Sequence, residues 1–290
     1  MQLFTITTSV DSRQAAEDFC EAFRESAIGL NHSRSAGADY RFAYEPGRVT
    51  VICENEGSTP LSSRTLKGLK TKAAEMITEH VIEKKEPFLL RRLLYKYYSL
   101  YNHEDVPAIV KLAVQILDGW SDYEVHKRSR ERRIAEIYSS FHDYLQTSSV
   151  IDIDGWISFR MPGFMEELKD ALDLAVDEYL LDKQYEEFIE LLKYFVQFQD
   201  TRIPLIHLNH IKGTEFEFLD EKMLPVQPLP EFTGITITME DQELQMEDAV
   251  VSSLISLSPG KIMIHTREPE LRMIATIQEI FGDRAQLCSD

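Results

Sequence analysis

Residues 155–200 carry the most regular apolar pattern in the chain, in the sequence GWISFRMPGFMEELKDALDLAVDEYLLDKQYEEFIELLKYFVQFQD. Large apolar side chains recur there at steps of three and four residues, which is the spacing of one face of an α-helix. Two such stripes follow each other in different phase, and their members are Phe164, Leu168, Leu172, Ala175 and Tyr179, then Tyr185, Phe188, Leu192, Phe195 and Gln199. The change of phase near residues 180–183 predicts either two helices or one kinked helix.

The same segment is acidic enough to raise the question of a metal site. Between residues 164 and 190 the lysines are Lys169 and Lys183, and the ten carboxylates are Glu166, Glu167, Asp170, Asp173, Asp177, Glu178, Asp182, Glu186, Glu187 and Glu190. Bundles that bind metal pairs combine inward carboxylates with a His three residues after a Glu, and this segment contains no His. Most of the acids lie off the first apolar stripe. The pattern therefore favours a solvated acidic face, and we expect no bound metal.

The first 60 residues predict a small α+β domain. The run LFTITT alternates apolar and polar residues like a half-buried strand, and Asp11-Ser12 supplies the N-cap of a helix. The inner face of that helix would hold Ala15, Phe19, Ala22 and Phe23. The run YRFAYEPGRVTVICE predicts a hairpin that turns at Pro46-Gly47.

Residues 61–200 predict a helical domain, with boundaries marked by Pro87 and Pro107. Two tracts in it are basic, HKRSRERR at 126–133 and the aromatic PFLLRRLLYKYYSLYNHED at 87–105. Interleaved aromatic and basic residues can stack nucleobases. Helical spacing instead favours a solvated face for the first tract and a buried helix with basic flanks for the second. A formal net charge of −18 also repels phosphate backbones at long range, so broad nucleic-acid binding is disfavoured.

Residues 201–290 predict an α/β module. RIPLIHLNHIKG and EFEFLDEK alternate like strands, and GITITM, EDAVVSSLISLSPG, KIMIHT, PELRMIATIQEIFG and AQLCS then follow in the order strand, helix, strand, helix, strand. Short strands separated by helices imply βαβ crossovers and a parallel or mixed sheet. The predicted fold class is therefore mixed α/β (α+β): a small N-terminal α+β unit, a helical middle and a C-terminal βαβαβ module.

Polar residues at the ends of the C-terminal strands offer one alternative site. Glu240 and Asp241 follow one strand, and His265 and Arg267 close the next, so the four could form an acid/base or phosphate site. Loops that follow strands are polar in many proteins, which favours the structural interpretation. No GxxxxGK[ST] or GxGxxG pattern occurs in the sequence, and we expect no nucleotide cofactor.

Zinc is also disfavoured at the histidines of this module. His207 and His210 lie three residues apart on a predicted strand and would point to opposite faces, so a regular strand cannot chelate one ion with both.

The cysteines and the N-terminus indicate a cytoplasmic protein. Cys20, Cys53 and Cys288 are far apart and form no CxxC pattern, which is typical of free, buried thiols in a reducing compartment. The sequence MQLFTITTSVDSRQ lacks the features of a signal peptide, and no apolar run has the roughly 18 residues that a membrane span needs.

A block within residues 155–200 and two segments near the C-terminus carry a family resemblance. They are Phe159-Arg160, Leu168, Val176-Asp177-Glu178, Tyr185, Phe188 and Leu191-Leu192-Lys193-Tyr194-Phe195-Val196, together with LISLSPGKIMIH and IFGDR. With these residues the sequence resembles the YtxC-like family of sporulation-associated proteins from endospore-forming Firmicutes. The resemblance implies a cytoplasmic bacterial protein associated with spore formation. The resemblance implies no particular reaction, cofactor or catalytic residue.

Two functions remain open on the sequence. One is a non-catalytic interaction or regulatory protein of sporulation with an unidentified protein partner, for which Trp156, Arg160, Asp177, Glu178 and Tyr194 are candidate anchor or interaction residues. The other is an enzyme or nucleotide-dependent factor with its site at the C-terminal strand ends. Because a helix dipole disfavours a cation at the helix N-terminus, we expect Arg160 to bridge to Glu166, Glu167, Asp170, Asp177 or Glu178.

Overall fold

A computed structural model describes residues 1–30, 38–55, 60–98, 104–119, 130–212, 215–226 and 242–288; at 25–30 and 242–248 it describes the backbone alone. The chain forms two compact units, Met1–Leu180 and Leu181–Asp290. Each unit contains a four-stranded sheet in its described part. Helices and mixed sheets together confirm the predicted mixed α/β fold class.

The sheet of the first unit is built around the N-terminal strand. Its strands are β1 Gln2–Ser9, β2 Ala38–Glu45, β3 Arg48–Asn55 and β4 Val150–Asp152, in the order β2-β3-β1-β4. β3 pairs antiparallel with both β1 and β2, whereas β4 adds to β1 in parallel. The predicted hairpin is confirmed, and its turn uses Gly47 at a φ of 78°, a conformation that a residue without Cβ adopts at low cost.

The helices of the first unit cover this sheet and form one core with it. In chain order they are α1 Arg13–Leu30, α2 Ser63–His80, a π-helical turn at Val81–Lys85, α3 Glu86–Tyr97, α4 Val106–Leu117, α5 Arg130–Thr147, α6 Ile153–Arg160 and the part of α7 Pro162–Phe198 up to Leu180. Ser12 caps α1 as predicted, because its Oγ accepts a hydrogen bond from the Ala15 amide at 3.1 Å. The predicted inner face needs a correction, since Ala16 and Cys20 are buried beside Phe19 and Phe23 while Ala22 is exposed.

The sequence SSVIDIDGWISFR at 148–160 predicts a short extended or turning segment that ends at Gly155, but the structure shows a helix over Ile153–Arg160. β4 ends at Asp152, and α6 begins at the next residue. The Asp152 side chain accepts a hydrogen bond from the Gly155 amide at 2.9 Å and so caps α6. The predicted turn is therefore the N-terminus of a two-turn helix.

The acidic segment forms one continuous helix, α7 Pro162–Phe198, so the predicted alternative of two separate helices is wrong. The first predicted stripe is correct, since Phe164, Leu168, Leu172 and Ala175 are buried. The second stripe is wrong in phase, and the core-facing residues are Ile189 and Val196, with Leu192 partly buried. Apolar residues occupy most of the circumference of this half of the helix, so periodicity alone could not identify the side that faces the core.

The second unit has a mixed sheet, as predicted. Its strands are β5 Ile203–Lys212, β6 Glu215–Leu219, β7 Pro259–His265 and β8 Ala285–Cys288, in the order β6-β5-β7-β8. β5, β7 and β8 run parallel, and β6 pairs antiparallel with β5. Helices α8 Gln242–Leu257 and α9 Arg272–Phe281 supply the crossovers. The predicted GITITM strand lies outside the described residues.

The structure also bears on the predictions about membrane-spanning segments and about the cysteines. No described helix is long and apolar enough to cross a membrane. The three cysteines are free, with Cys20 and Cys53 buried and Cys288 half-buried.

Candidate functional site

The C-terminal half of α7 exposes a row of large apolar side chains, here called the α7 face. Its members are Leu181, Phe188, Leu191, Tyr194, Phe195 and Phe198, and each is between 53% and 69% exposed. Single exposed apolar residues are normal on a protein surface, whereas a contiguous patch marks an interaction site. Six such residues within 18 positions of one helix form a contiguous patch.

The α7 face follows from the sequence of the helix. Leu181, Phe188 and Phe195 recur at seven residues, and Leu191 and Phe198 recur at seven residues in between. A helix turns by about 100° per residue, so these two series form one seam beside the core-facing Ile189 and Val196. This half of α7 therefore has two apolar sides, and one of them is buried by its own unit.

Polar contacts border the α7 face. The Tyr185 hydroxyl lies 3.2 Å from the Thr276 hydroxyl, and the Arg272 guanidinium lies 5.3 Å from the centre of the Tyr185 ring. On the other side of the helix, the Lys193 ammonium contacts Glu190 at 2.6 Å and Glu279 at 3.1 Å. These contacts hold this half of α7 against the rest of the second unit. They involve residues on the two flanks of the helix, so the side chains of the seam remain exposed.

Two of the predicted anchor residues, Trp156 and Arg160, lie together on α6. The Trp156 indole donates to the Ser140 hydroxyl at 2.9 Å, and its ring lies 4.1 Å from that of Tyr144. The exposed Arg160 guanidinium lies 5.9 Å from the centre of the Trp156 ring. The predicted ion pair from Arg160 to a carboxylate of α7 does not form in the described structure, because α6 places Arg160 over the indole of Trp156 on the same helix.

The predicted carboxylates lie elsewhere on α7. Asp177 is exposed, and Glu178 is half-buried with one oxygen that has no hydrogen-bond partner among the described residues. Glu167 instead accepts from Arg132 at 3.1 Å. Tyr194, the remaining candidate, belongs to the α7 face, where its ring lies 4.6 Å from that of Phe198.

Comparison with known proteins identifies the family of this sequence. Residues 71–286 match the family model of the YtxC-like family. The chain belongs to the YtxC-like family. It is also 25% identical over 219 residues to the uncharacterized protein YtxC of Bacillus subtilis (strain 168), a match that covers 73% of this chain and 74% of that protein. No solved structure matches. The matched range includes α7 and the described part of the second unit up to residue 286.

This YtxC-like chain also contains a partly buried polar cluster that its sequence did not reveal. The Lys85 ammonium donates to the Ser9 carbonyl and hydroxyl, both at 2.8 Å, and to Asp154 at 2.6 Å. Asp154 also accepts from the Ser9 amide at 2.6 Å and the Ser9 hydroxyl at 2.9 Å. Burial alone would raise the pKa of Asp154, but Lys85 and Ser9 outweigh it and hold the pKa below its usual value.

Although it contains Ser, Lys and Asp, this cluster does not support nucleophilic catalysis. The Lys85 side chain is only 4% exposed, and its ammonium donates hydrogen bonds to three acceptors. An ammonium has no lone pair, so it cannot accept the hydroxyl proton of Ser9 and activate that residue as a nucleophile. The cluster instead joins the end of β1, the π-helical turn after α2 and the first turn of α6. The three residues are far apart in sequence, and no local pattern could have found them.

A groove of about 610 Å³ lies between α1 and α2 of the YtxC-like chain, next to this cluster. His80 lines it, with its ring 4.5 Å from that of Phe19 and with Nε2 buried and unpaired in the described structure. Burial, assisted by the charge of Lys85, lowers the pKa of His80 to about 3. His80 is therefore neutral at physiological pH, which is typical of a histidine packed into a core.

The basic tract of residues 126–133 contributes to the interior. Arg133 is 1% exposed and lies 3.0 Å from Glu86 and 2.9 Å from Asp118. The prediction of a solvated face is thus wrong at Arg133, whereas Arg130 is exposed, Arg132 is half-buried, and residues 126–129 lie outside the described part. Burial raises the pKa of Glu86 despite the opposing effect of Arg133, as expected when two partners leave water together.

The first part of the aromatic and basic tract, residues 87–97, lies in α3 as predicted, and residues 99–103 lie outside the described part. Leu89, Leu90 and Leu94 are buried, while Tyr95 and Tyr97 are each half exposed beside basic residues. The ammonium of Lys96 lies 4.8 Å and that of Lys169 5.5 Å from the centre of the Tyr97 ring. The exposed ring of Tyr97 thus already contacts cations of its own chain.

At the alternative C-terminal site, the structure describes His265 and Arg267, while Glu240 and Asp241 lie outside the described residues. His265 Nε2 lies 2.8 Å from His207 Nδ1, and Arg267 is exposed. His210 lies 2.8 Å from the Thr266 hydroxyl instead, so the predicted separation of His207 and His210 onto opposite faces is confirmed. The described residues contain no group of three or more side chains suited to a metal ion.

Proposed function

We propose that this chain is a non-catalytic interaction or regulatory protein of spore formation, acting in the cytoplasm, and that it assembles with a helix through the α7 face. The α7 face is the observation that carries the proposal. Leaving apolar area in water costs about 25 cal/mol per Å² relative to burying it, so a partner that covers this face gains affinity from the whole row.

An α-helix is the partner element that the face fits best. The seam alternates steps of three and four residues, as in the a and d positions of a coiled coil, where side chains of a second helix fit between those of the first. Partners that bind an apolar helix stripe through another amphipathic helix recur among regulatory proteins. The link to spore formation rests on membership of the YtxC-like family and on what the resemblance implies for it.

The test combines a defect in the face with a matched control on the same helix. In the source bacterium, Phe188→Glu replaces an exposed apolar residue of the face, and Glu186→Gln alters an exposed residue away from it. The proposal expects normal amounts of both proteins, fewer heat-resistant spores with Phe188→Glu and unchanged spore counts with Glu186→Gln. Equal spore counts for both variants would contradict it.

The alternative of an enzyme with its site at the C-terminal strand ends remains a prediction. It requires Glu240 or Asp241 to approach His265, and only His265 and Arg267 of that set lie in the described structure.

A further inference from the structure

We infer that the helix that covers the α7 face is the same segment of α7 in a second copy of this chain, running antiparallel. The inference rests on the proposed function, because it names the partner of the same face. It is carried by the order of side chains along the seam, by the groups on its flank and by its exposed area.

The spacing of the seam is the same in both directions along the helix. Leu181, Gln184, Phe188, Leu191, Phe195 and Phe198 are separated by three, four, three, four and three residues. An antiparallel pair centred between residues 189 and 190 therefore aligns every seam position with a seam position of the other copy. The seam matches itself about a two-fold axis.

The side chains that meet in this register complement each other in size. Leu181 meets Phe198 of the second copy, and Phe188 meets Leu191, so each of these layers combines a branched aliphatic side chain with a ring. Gln184 meets Phe195. A parallel pair would instead oppose identical residues, including Phe188 with Phe188 and Phe198 with Phe198. Alternation of large and smaller side chains fills a helix interface better than rings that meet at one level.

The flank of the seam avoids contacts between like charges. Glu187 and Tyr194 occupy equivalent positions one residue before Phe188 and Phe195, and in an antiparallel pair each lies beside the other residue of the second copy. The Tyr194 hydroxyl can donate to the Glu187 carboxylate. Glu190 lies away from the seam, where Lys193 contacts it. The acidic residues of α7 therefore do not oppose self-association at close range.

The exposed area of the face approaches that of a stable dimer interface. At about 200 Å² for a large side chain, the exposed fractions of the six residues of the face leave roughly 700 Å² per copy. Stable interfaces of standard size bury about 800 Å² per partner. Residues at the rim of the face would supply the remainder.

Charge distinguishes a second copy from a basic helical partner. Each chain has a formal net charge of −18, so two copies repel at long range and salt screens that repulsion. The dimer should therefore become tighter as salt rises from about 50 to 500 mM. A complex of this acidic chain with a basic helix would weaken over the same range.

Cross-linking of two variants with one accessible cysteine each tests the antiparallel register. Leu181→Cys and Phe198→Cys are each prepared in a Cys288→Ser background, in which the remaining Cys20 and Cys53 are buried, then mixed and treated with a short bismaleimide. Positions 181 and 198 are about 25 Å apart along one helix, so neither variant alone can link two antiparallel copies. We expect a covalent dimer in the mixture and none with either variant alone. A dimer formed by each variant alone would show a parallel pair and overturn the inference.

A solution measurement without cysteine variants accompanies the cross-linking. Phe188→Glu should raise the dimer dissociation constant at least about 30-fold, as expected for a residue at the centre of an interface, and Glu186→Gln should leave it unchanged. A chain that stays monomeric at every salt concentration and gives no cross-link overturns the inference. The proposed function would survive that result if Phe188→Glu still reduced spore formation, and it would fail if Phe188→Glu had no effect there.

Discussion

At the residue scale, the stability of the first unit should depend on Asp154, the carboxylate that pairs with the Lys85 ammonium. Asp154→Asn removes the charge opposite this buried ammonium, and because Asp154 is itself half-buried the loss should be about 2 kcal/mol, below the roughly 3 to 5 kcal/mol of a fully buried pair. Urea unfolding at pH 7 measures the loss, with the exposed Asp143→Asn as a matched control that should change little. Equal stability of the two variants would contradict the role of the cluster.

The same carboxylate should contribute to the acid sensitivity of the protein. The pKa of Asp154 is lowered in the folded state, so the stabilisation is present above the unfolded value of about 3.9 and is lost as pH falls through the folded value. The difference in stability between the wild type and Asp154→Asn should therefore shrink below about pH 4.

His80 gives a pH dependence in a different window. Its pKa of about 3 in the folded protein lies below the unfolded value of about 6.5, so protonation favours the unfolded state as pH falls below 6.5. Between pH 7.5 and pH 5 this single group should destabilise the fold by up to about 2 kcal/mol. Urea midpoints at both pH values should fall less for His80→Gln than for the wild type or for His142→Gln. An identical decrease in all three proteins would show that His80 titrates normally.

At the element scale, the two apolar sides of α7 can be separated by neighbouring substitutions. Ile189 is 3% exposed, so Ile189→Ala should cost about 2 to 4 kcal/mol through lost burial and the cavity it leaves. Phe188 is more than half exposed, so Phe188→Ala should cost less than about 1 kcal/mol in dilute protein. Thermal melts followed by circular dichroism test the order, and a larger loss for Phe188→Ala would reverse the assignment of the core side.

The elements differ in how far the sequence determines them. Phe164, Leu168 and Leu172 form the only apolar stripe of their half of α7, and periodicity located that stripe correctly. After residue 180, apolar residues lie on more than one side of the helix. Periodicity could therefore predict a helix, but it could not identify the side that faces the core. The change from strand to helix at Asp152 was missed because a single capping carboxylate, rather than an apolar period, starts α6.

At the scale of the whole molecule, the mixed fold was predictable because alternating strands and helices leave few ways to cover a sheet. The division into domains at residues 60 and 200 remains a proposal about folding units. The cluster of Ser9, Lys85 and Asp154 was not predictable, because it depends on contacts between distant parts of the chain. The α7 face was partly predictable. Its seven-residue spacing is visible in the sequence, but it can be recognised as an exposed face only when the core-facing side of the helix is known.

Sedimentation equilibrium determines whether the α7 face pairs two copies of the chain. The chain mass is 33.6 kDa, so a dimer weighs 2 × 33.6 = 67.2 kDa. At micromolar concentration and 500 mM salt we expect the wild type and Glu186→Gln to approach 67.2 kDa, while Phe188→Glu remains at 33.6 kDa. A wild-type mass of 33.6 kDa at up to about 100 µM, or a dimer that Phe188→Glu leaves intact, would contradict the claim.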